Sequence, residues 1–282
     1  MQIFRTPREM QDFVRESRRA GKTIGFVPTM GAFHAGHLSL MQRAASENDV
    51  AVVSLFVNPT QFNEAADLAA YPRDEAADAR LAESAGIQVM YAPDASAMYP
   101  PGFATTVSVA GVSEVLEGAT RGPGHFQGVA TVVAKLLNAV ACDRVYLGQK
   151  DAQQVAVLHR MIRDLDFDVD VVVCATVREP DGLAMSSRNA RLRGDDRTRA
   201  LALRHGLEAA LGEIARGERV AERVQMAGVR AMRKEGVDPE YFAIVDSTSF
   251  TPPTHLNGDV LIAVAARVGP VRLIDNELVH VS

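Results

Sequence analysis

The run Thr23-Ile24-Gly25-Phe26-Val27-Pro28-Thr29-Met30-Gly31-Ala32-Phe33-His34-Ala35-Gly36-His37-Leu38 decides how the rest of the chain is read. Its apolar opening halts at Pro28, which has no N–H to give to a sheet ladder, so 24–27 reads as a short buried strand. Glycines and histidines occupy the turn, and a helical pattern starts at Leu38. The same alternation recurs on both sides. Upstream, Thr6-Pro7-Arg8-Glu9 has the threonine, early proline and glutamate of a capping box, and Met10, Phe13, Val14 and Ser17 follow at helical spacing until Gly21. Downstream, helical patterns at 38–47, 74–84, 128–140 and 151–164 alternate with apolar runs at 50–57, 87–91, 144–147 and 169–174. Near-continuous apolar strands separated by helices predict an α/β fold, a Rossmann-like parallel sheet with helices on both faces. Ligands of such sheets bind in loops beyond the carboxyl ends of the strands, so the residues after each strand are the ones to inspect.

After about residue 176 the pattern changes. Arginine-rich helical segments at 195–217 and 218–235 precede strand-like runs at 241–245, 260–267 and 271–274. This predicts a Rossmann-like domain over 1–175 and a smaller C-terminal α+β domain over 176–282. A chain of 282 residues, 47% hydrophobic and 23% charged, buries enough surface for this without a staple. Its two cysteines, Cys142 and Cys174, sit in apolar runs and read as buried free thiols of a reducing compartment. The absence of a CxxC or Cys/His spacing argues against a structural zinc site. A formal net charge of −5 argues against a nucleic-acid partner. No apolar run approaches the roughly 20 residues that cross a bilayer, and the opening MQIFRTPREM has no signal-peptide core. The expectation is a cytoplasmic, soluble protein with no membrane partner.

Three of the strand exits carry chemistry. In the first, His34 and His37 flank Ala35-Gly36 between a strand and a helix. A helix N-terminus offers free N–H groups and partial positive charge to a phosphate, imidazoles add donors, and Gly31 and Gly36 let the backbone approach a ligand. There is no P-loop pattern and no dinucleotide-binding glycine fingerprint. In the second, Asn58 and Gln61 follow the apolar run 50–57, and neutral amides suit a substrate bearing hydroxyls and a carboxylate. In the third, Gly148-Gln149-Lys150-Asp151 offers a compact cation for phosphate and a carboxylate for ribose hydroxyls or a helix cap. Beyond the strands, Met185-Ser186-Ser187-Arg188 combines two hydroxyls with a guanidinium, which can grip phosphate groups; Asp181-Gly182 and Asn189 beside it suit a mobile loop. Taken singly, each has a plain alternative: surface histidines, an Asn-Pro turn, a solvated lysine, a helix cap.

Taken in order, these segments resemble a known family. HxGH after a strand looks like the signature of the nucleotidyltransferase-like superfamily, and the wider Pro28-Thr29-Met30-Gly31-Ala32-Phe33-His34-Ala35-Gly36-His37 closely resembles the pantothenate synthetases. So do Phe56-Val57-Asn58-Pro59-Thr60-Gln61-Phe62, Tyr71-Pro72-Arg73, Tyr99-Pro100-Pro101-Gly102-Phe103, Gly124-His125-Phe126-Gln127-Gly128, Gly148-Gln149-Lys150-Asp151, Asp181-Gly182-Leu183-Ala184-Met185-Ser186-Ser187-Arg188-Asn189 and Leu273-Ile274-Asp275-Asn276. The resemblance implies a ligase that activates pantoate with ATP as an acyl-adenylate and joins it to β-alanine, releasing AMP and pyrophosphate. It implies that 1–175 binds ATP and pantoate and that 176–282 carries the Met-Ser-Ser-Arg loop and covers the active site. It implies an ATP-binding set of Met30, Gly31, His34, Gly36, His37, Gly148, Gln149, Lys150, Asp151, Val177, Met185, Ser186, Ser187 and Arg188. Among these His37, His34, Lys150 and Arg188 would be catalytic, with His37 similar to the family's proton donor. Gln61, Gln154 and Asn58 would meet pantoate or β-alanine, Mg²⁺ would bridge the phosphates with Asp78 as a candidate metal-associated carboxylate, and the enzyme would be a homodimer.

Three positions depart from the family pattern: the extra Gly122 in Arg121-Gly122-Pro123-Gly124-His125, Phe33 for leucine, and Asp74 for threonine. The rival readings are a nucleotidyltransferase acting on a phosphorylated substrate, a non-catalytic nucleotide-binding module, and a tRNA synthetase. The neutral amides at 58, 61 and 154 count against the first. The retained histidines, lysine and Ser-Ser-Arg loop count against the second, and the net acidity against the third.

Overall fold

Ile24–Val27 (β2) is buried at all four positions and lies between Val50–Ser54 (β3) and Arg144–Gly148 (β5), in parallel with both. A strand with apolar side chains on both faces is stable only where both faces are covered, and this central place provides that. The computed structural model describes residues 1–62, 68–69 and 71–282. The chain forms two compact units, Met1–Gly148 with Gln153–Ala175, and Gln149–Ala152 with Thr176–Ser282.

The first unit is a six-stranded, wholly parallel sheet in the order β1-β4-β3-β2-β5-β6, completed by Gln2–Phe4 (β1), Val89–Tyr91 (β4) and Asp170–Cys174 (β6). The chain steps from β2 outward to β3 and β4 in one direction, then returns to lay β5 and β6 on the other side of β2. The order therefore reverses between β2 and β5, the point at which open α/β sheets place their ligands. Pro7–Arg19 (α1), Ala35–Glu47 (α2), Glu75–Ser84 (α3), Pro123–Val140 (α4) and Ala152–Asp164 (α5) are the long helices of this unit. Leu40, Met41 and Ala44 of α2 join Ala82 of α3 and Val27, Val53 and Met90 of the sheet in one core. Thr6 and Glu9 form the expected capping box, with Pro7 in the first turn of α1.

Several boundaries differ from the sequence reading. β1 carries no periodic signal: it is three residues long, largely exposed, and exists because its backbone pairs with β4. β3 stops at Ser54 although the apolar run continues to Val57. Leu55 and Phe56 instead donate to the Tyr91 and Thr29 carbonyls, and Phe56 is buried in the loop. Apolarity there records burial rather than a ladder. α4 begins at Pro123 rather than near 128 because Gly122, at φ 83°, ends the short helix Glu117–Arg121 and starts the next one. Both cysteines are buried free thiols, and burial pushes the Cys142 thiol up to about 12. Among the described residues no helix is long and apolar enough to cross a membrane.

The second unit lays Ala202–Ala215 (α6) and Ala221–Lys234 (α7) beside a three-stranded antiparallel sheet, Pro239–Asp246 (β7), Gly258–Val268 (β8) and Val271–Val281 (β9), in the order β7-β8-β9. The helical stretch expected at 195–217 is two helices, Asp195–Arg199 and α6, and β9 runs well past Ile274. Phe242 of β7 sits against α6 and α7 where both carry glycine. A Cβ on Gly206 would stand 3.2 Å from the Phe242 ring, and one on Gly228 would overlap it. In an exposed helix Gly→Ala gains about 1 kcal/mol. Here the sign reverses: Gly228→Ala is expected to destabilise the protein by about 1–3 kcal/mol through overpacking, measured as a lower urea midpoint. A raised midpoint would show that Phe242 does not fill this gap.

Candidate active site

The turn between β2 and α2 is held by a side chain from a distant part of the sequence. Asp78, on α3 and 4% exposed, accepts the Ala32 N–H at 2.9 Å on one carboxylate oxygen and the Phe33 N–H at 2.8 Å on the other. The backbone reaches this clamp through two consecutive left-handed residues, Gly31 at φ 86° and Ala32 at φ 54°. A Cβ at Gly31 would come within 2.8 Å of the carboxylate, so sterics and conformation both require glycine there. Thr29 ties the start of the turn to the end of β3, its N–H donating to Ser54 Oγ at 3.2 Å.

Held in this way, the turn delivers His34 to the N-cap of α2. His34 Nδ1 accepts the Gly36 N–H at 3.2 Å, and His37 Nδ1 reaches back to the His34 N–H at 3.4 Å. The two rings lie 4.2 Å apart, with Phe33 5.6 Å from His37. An Nδ1 that accepts a backbone N–H leaves the proton of the neutral ring on Nε2. Both imidazoles therefore carry Nε2–H donors at a helix N-terminus, an arrangement that favours an anion.

Asn58 is fully buried and its amide is saturated. Its Oδ1 accepts from the Thr60 N–H at 3.4 Å, the Thr60 hydroxyl at 3.0 Å and the Tyr99 hydroxyl at 2.8 Å. Its Nδ2 donates to the Gly128 carbonyl at 3.1 Å and to Gln61 Oε1 at 2.9 Å. A backbone N–H can only donate and a carbonyl can only accept, so these partners fix which end of Asn58 is which. Gln61 must then accept through its oxygen, which leaves its NH₂ as the end that can donate to a ligand. Asn58, expected to meet substrate, spends its amide within the protein and orients Gln61. Gly128 is required because a Cβ there would stand 2.6 Å from the Thr60 carbonyl oxygen. Burial raises the Tyr99 phenol, and its hydrogen bonds with Thr60 and Asn58 counteract this. Gln154 is half-buried in the first turn of α5.

Gly148 ends β5 in the first unit, and the second unit carries the other candidates. Lys150 and Gln149 lie in the short 3-10 turn Gln149–Asp151, with the Lys150 ammonium 3.6 Å from Asp151. The Met185 N–H donates to the Val177 carbonyl at 2.9 Å, which brings those two candidates together. Ser186 caps the turn Ser187–Arg191 by accepting the Arg188 N–H at 3.2 Å; both Ser187 and Arg188 lie at this turn's start. The flanks of this segment are tied rather than loose, since Asn189 donates to Glu179 at 2.6 Å and to the Ala184 carbonyl at 3.0 Å.

Asp78, a candidate metal-associated carboxylate by sequence, has both oxygens committed to the turn at 31–33. Among the described residues no three His, Cys, Asp or Glu side chains gather as a metal site. Tyr99 and Asn276 stand in recognisable sequence motifs without an evident role there, and Arg178 stands in none. A polar residue inside a recognisable motif is the signal available for the first two. Asp74, where threonine is usual, still caps α3 by accepting the Ala77 N–H at 2.9 Å.

Comparison with known proteins bears on this arrangement directly. A family model described as Pantoate-beta-alanine ligase matches residues 2–278. The pantothenate synthetase of Heliobacterium modesticaldum is 50% identical over 282 residues, 100% of each chain. That of Thermotoga neapolitana is 49% identical over 279 residues, 99% of each. Among solved structures, pantothenate synthetase from Thermus thermophilus matches with a TM-score of 0.92 at 44% identity, covering 98% of this chain and 99% of that one. The pantoate-beta-alanine ligase of Francisella tularensis, complexed with beta-gamma ATP and beta-alanine, matches with a TM-score of 0.78 at 36% identity, covering 99% and 97%. The class is that of ligases built on a parallel α/β sheet with a small antiparallel-sheet unit. Within it, the chain belongs to the pantoate–β-alanine ligase family.

The clamp on the turn is testable without any ligand. Asp78→Asn keeps the shape but can accept only one N–H and turns its own NH₂ toward the other. The expected cost is about 1–3 kcal/mol for the orphaned donor, seen in urea unfolding, with faster hydrogen exchange at Ala32 or Phe33. Unchanged stability and exchange would mean that the turn is held by something else.

Proposed function

We propose that this chain joins pantoate to β-alanine with ATP, through a pantoyl-adenylate, and that His34, His37, Lys150 and Arg188 carry the phosphate chemistry. The observation that carries the reading is the His34–His37 pair set at the N-terminus of α2, beside the switch point of the sheet, in a chain of this family. In the first step a pantoate carboxylate oxygen attacks the α-phosphorus, an acyl C–O–P link forms, and the bond to pyrophosphate breaks. Charge grows on phosphate oxygens, and preorganised donors stabilise it without moving. His34 and His37 supply such donors, and Lys150, Ser186, Ser187 and Arg188 supply donors and positive charge. Met30, Gly31, Gly36, Gly148, Gln149, Asp151, Val177 and Met185 complete the ATP-binding set. In the second step the β-alanine amine attacks the acyl carbon, the C–N bond forms, AMP leaves, and the amine loses its proton. Gln61, its NH₂ aimed by Asn58, donates to a pantoate oxygen, and Gln154 is the second pantoate amide.

Magnesium in this reading rides on ATP. With Asp78 committed to the turn and no cluster of three acidic, His or Cys side chains among the described residues, the ion would be held by phosphate oxygens and water, the coordination Mg²⁺ favours. The cytoplasmic placement rests on the sequence reading, and the homodimer on the family resemblance.

The deciding assay follows ATP with each acid omitted in turn. Pantoate alone is expected to support pyrophosphate–ATP exchange, and AMP is expected only when both acids are present. Pyrophosphate release without AMP, and only with a phosphorylated acceptor, would point to a nucleotidyltransferase and remove the roles of Gln61 and Gln154.

The orientation of Gln61 gives a second expectation. Asn58→Asp replaces a donor by an acceptor: the Gly128 carbonyl loses its donor at a cost in stability, and Gln61 must turn its NH₂ inward and present oxygen to the substrate. The pantoate KM should rise about 10–100-fold, the scale of a lost hydrogen bond to a charged group, while the ATP KM holds. Equal changes in both would mean general disruption of the site.

A further inference from the structure

Asp275 and Asn276 are consecutive residues of β9, and both are almost fully buried, at 3% and 4% exposed. Side chains of consecutive strand residues point to opposite faces, and each of these holds a different segment. On one face Asn276 is used at both ends. Its Nδ2 donates to the Gln149 carbonyl at 3.0 Å and to the Lys150 carbonyl at 2.9 Å, and its Oδ1 accepts from Gln149 Nε2 at 3.0 Å. Three bonds from one carboxamide thus fix the turn that carries Lys150. On the other face Asp275 takes the Arg178 guanidinium in a fork, at 2.7 and 3.1 Å, and Arg178 also donates to Glu277 at 2.9 Å and to the Gly182 carbonyl at 3.2 Å. Arg178 pairs with Ala184 in an isolated bridge, so this fork holds the base of the hairpin that leads directly into Met185–Arg188. Burial pushes the Asp275 carboxyl up, and Arg178 opposes that rise.

We propose that Asn276 is a positioning residue for ATP: it sets Lys150 through the backbone of the Gln149–Asp151 turn, and Asp275 sets the Met185–Arg188 segment through Arg178, so one strand aligns both phosphate-binding segments of the second unit. The proposal rests on the assignment of Lys150 to ATP phosphate made above. It explains why a short stretch, Gln149–Ala152, groups with the second unit although it follows directly on β5 of the first. A backbone turn with no core of its own needs fixed partners, and a carboxamide that both donates and accepts supplies three.

The test is a double-mutant cycle read by ATP titration calorimetry on the full-length protein: wild type, Lys150→Ala, Asn276→Ala and the two combined. Ile214→Ala serves as the comparison, a buried residue of the same unit's core on α6 and in neither segment. Asn276→Ala removes all three bonds and is expected to weaken ATP about tenfold, the scale of the two lost to the carbonyls of the turn. In the Lys150→Ala background the same change is expected to cost less than about twofold, because a residue acting through Lys150 has nothing left to position. The pantoate KM should stay within about twofold throughout. If Asn276→Ala does not fold, Asn276→Ser is measured instead, since its shorter hydroxyl cannot reach both carbonyls. The proposal is overturned if the full loss persists without Lys150, or if Ile214→Ala at matched stability weakens ATP equally. Wild-type ATP affinity in Lys150→Ala alone removes the lysine's phosphate role and the positioning proposal with it, an outcome distinct from the other two.

Discussion

A buried carboxylate bonded to main-chain N–H groups, Asp78, sets the geometry on which the first unit's chemistry depends. The turn from β2 into α2 must reverse the chain within a few residues and still leave the N-terminus of α2 open. It does so with Gly31 and Ala32 in the left-handed region, which costs roughly 1–2 kcal/mol for a residue with a Cβ. Two N–H bonds to a carboxylate, each worth about 1.5–3 kcal/mol, outweigh that strain. The dependence runs in one direction. Asp74 caps α3, α3 places Asp78, Asp78 holds 32–33, and only then does His34 arrive at the N-cap with His37 one turn on. The histidines owe their tautomer to backbone N–H groups, and those groups owe their place to a side chain outside the motif.

Carboxamides do in both units what a charged group could not. Asn58 and Asn276 are each buried with both ends bonded, and in each case a main-chain partner settles which end is which. A carboxylate at either place would face carbonyl oxygens, and a hydrocarbon would orphan them; either substitution leaves buried polar atoms unpaired. What these residues export is direction. Asn58 passes a defined donor end to Gln61, and Asn276 passes a defined backbone position to Lys150. The candidate ligand-binding groups can then remain accessible while their orientation is fixed in the interior.

The fold is legible in the sequence where physics acts locally. β2, β3 and β5 show as apolar runs because they are buried along most of their length, and the Thr6–Glu9 box starts a helix for reasons contained within one turn. β1 is not legible, since a largely exposed edge strand this short has no pattern until β4 is beside it. The apolar run past Ser54 misleads for the opposite reason, because a buried loop and a buried strand look alike in composition. The same divide runs through the site. His34, His37, Lys150 and Arg188 stand out by type and spacing, but the hold of Asp78 on the turn does not, because its N–H partners lie 45 and 46 residues away. Asn276 is visible only as part of a motif, because its partners are 126 and 127 residues distant.

The departures from the family pattern follow from this division between local and distant requirements. Position 74 must cap a helix, and the need is for a side-chain oxygen near the Ala77 N–H, which aspartate supplies as well as threonine. Position 122 must take a positive φ between two helices, and an added glycine does so with open space around it. Position 33 must give a backbone N–H to Asp78 and an apolar surface to His37, which any large apolar residue can do. In each case the demand is for one atom, one dihedral or one surface. Asn58, Asp78 and Asn276 face a stricter demand, because each satisfies several partners at once from a fixed side-chain shape. Substitution is therefore expected to be tolerated at the former positions and not at the latter. The difference lies in how many bonds one side chain must make, rather than in its distance from the reacting atoms.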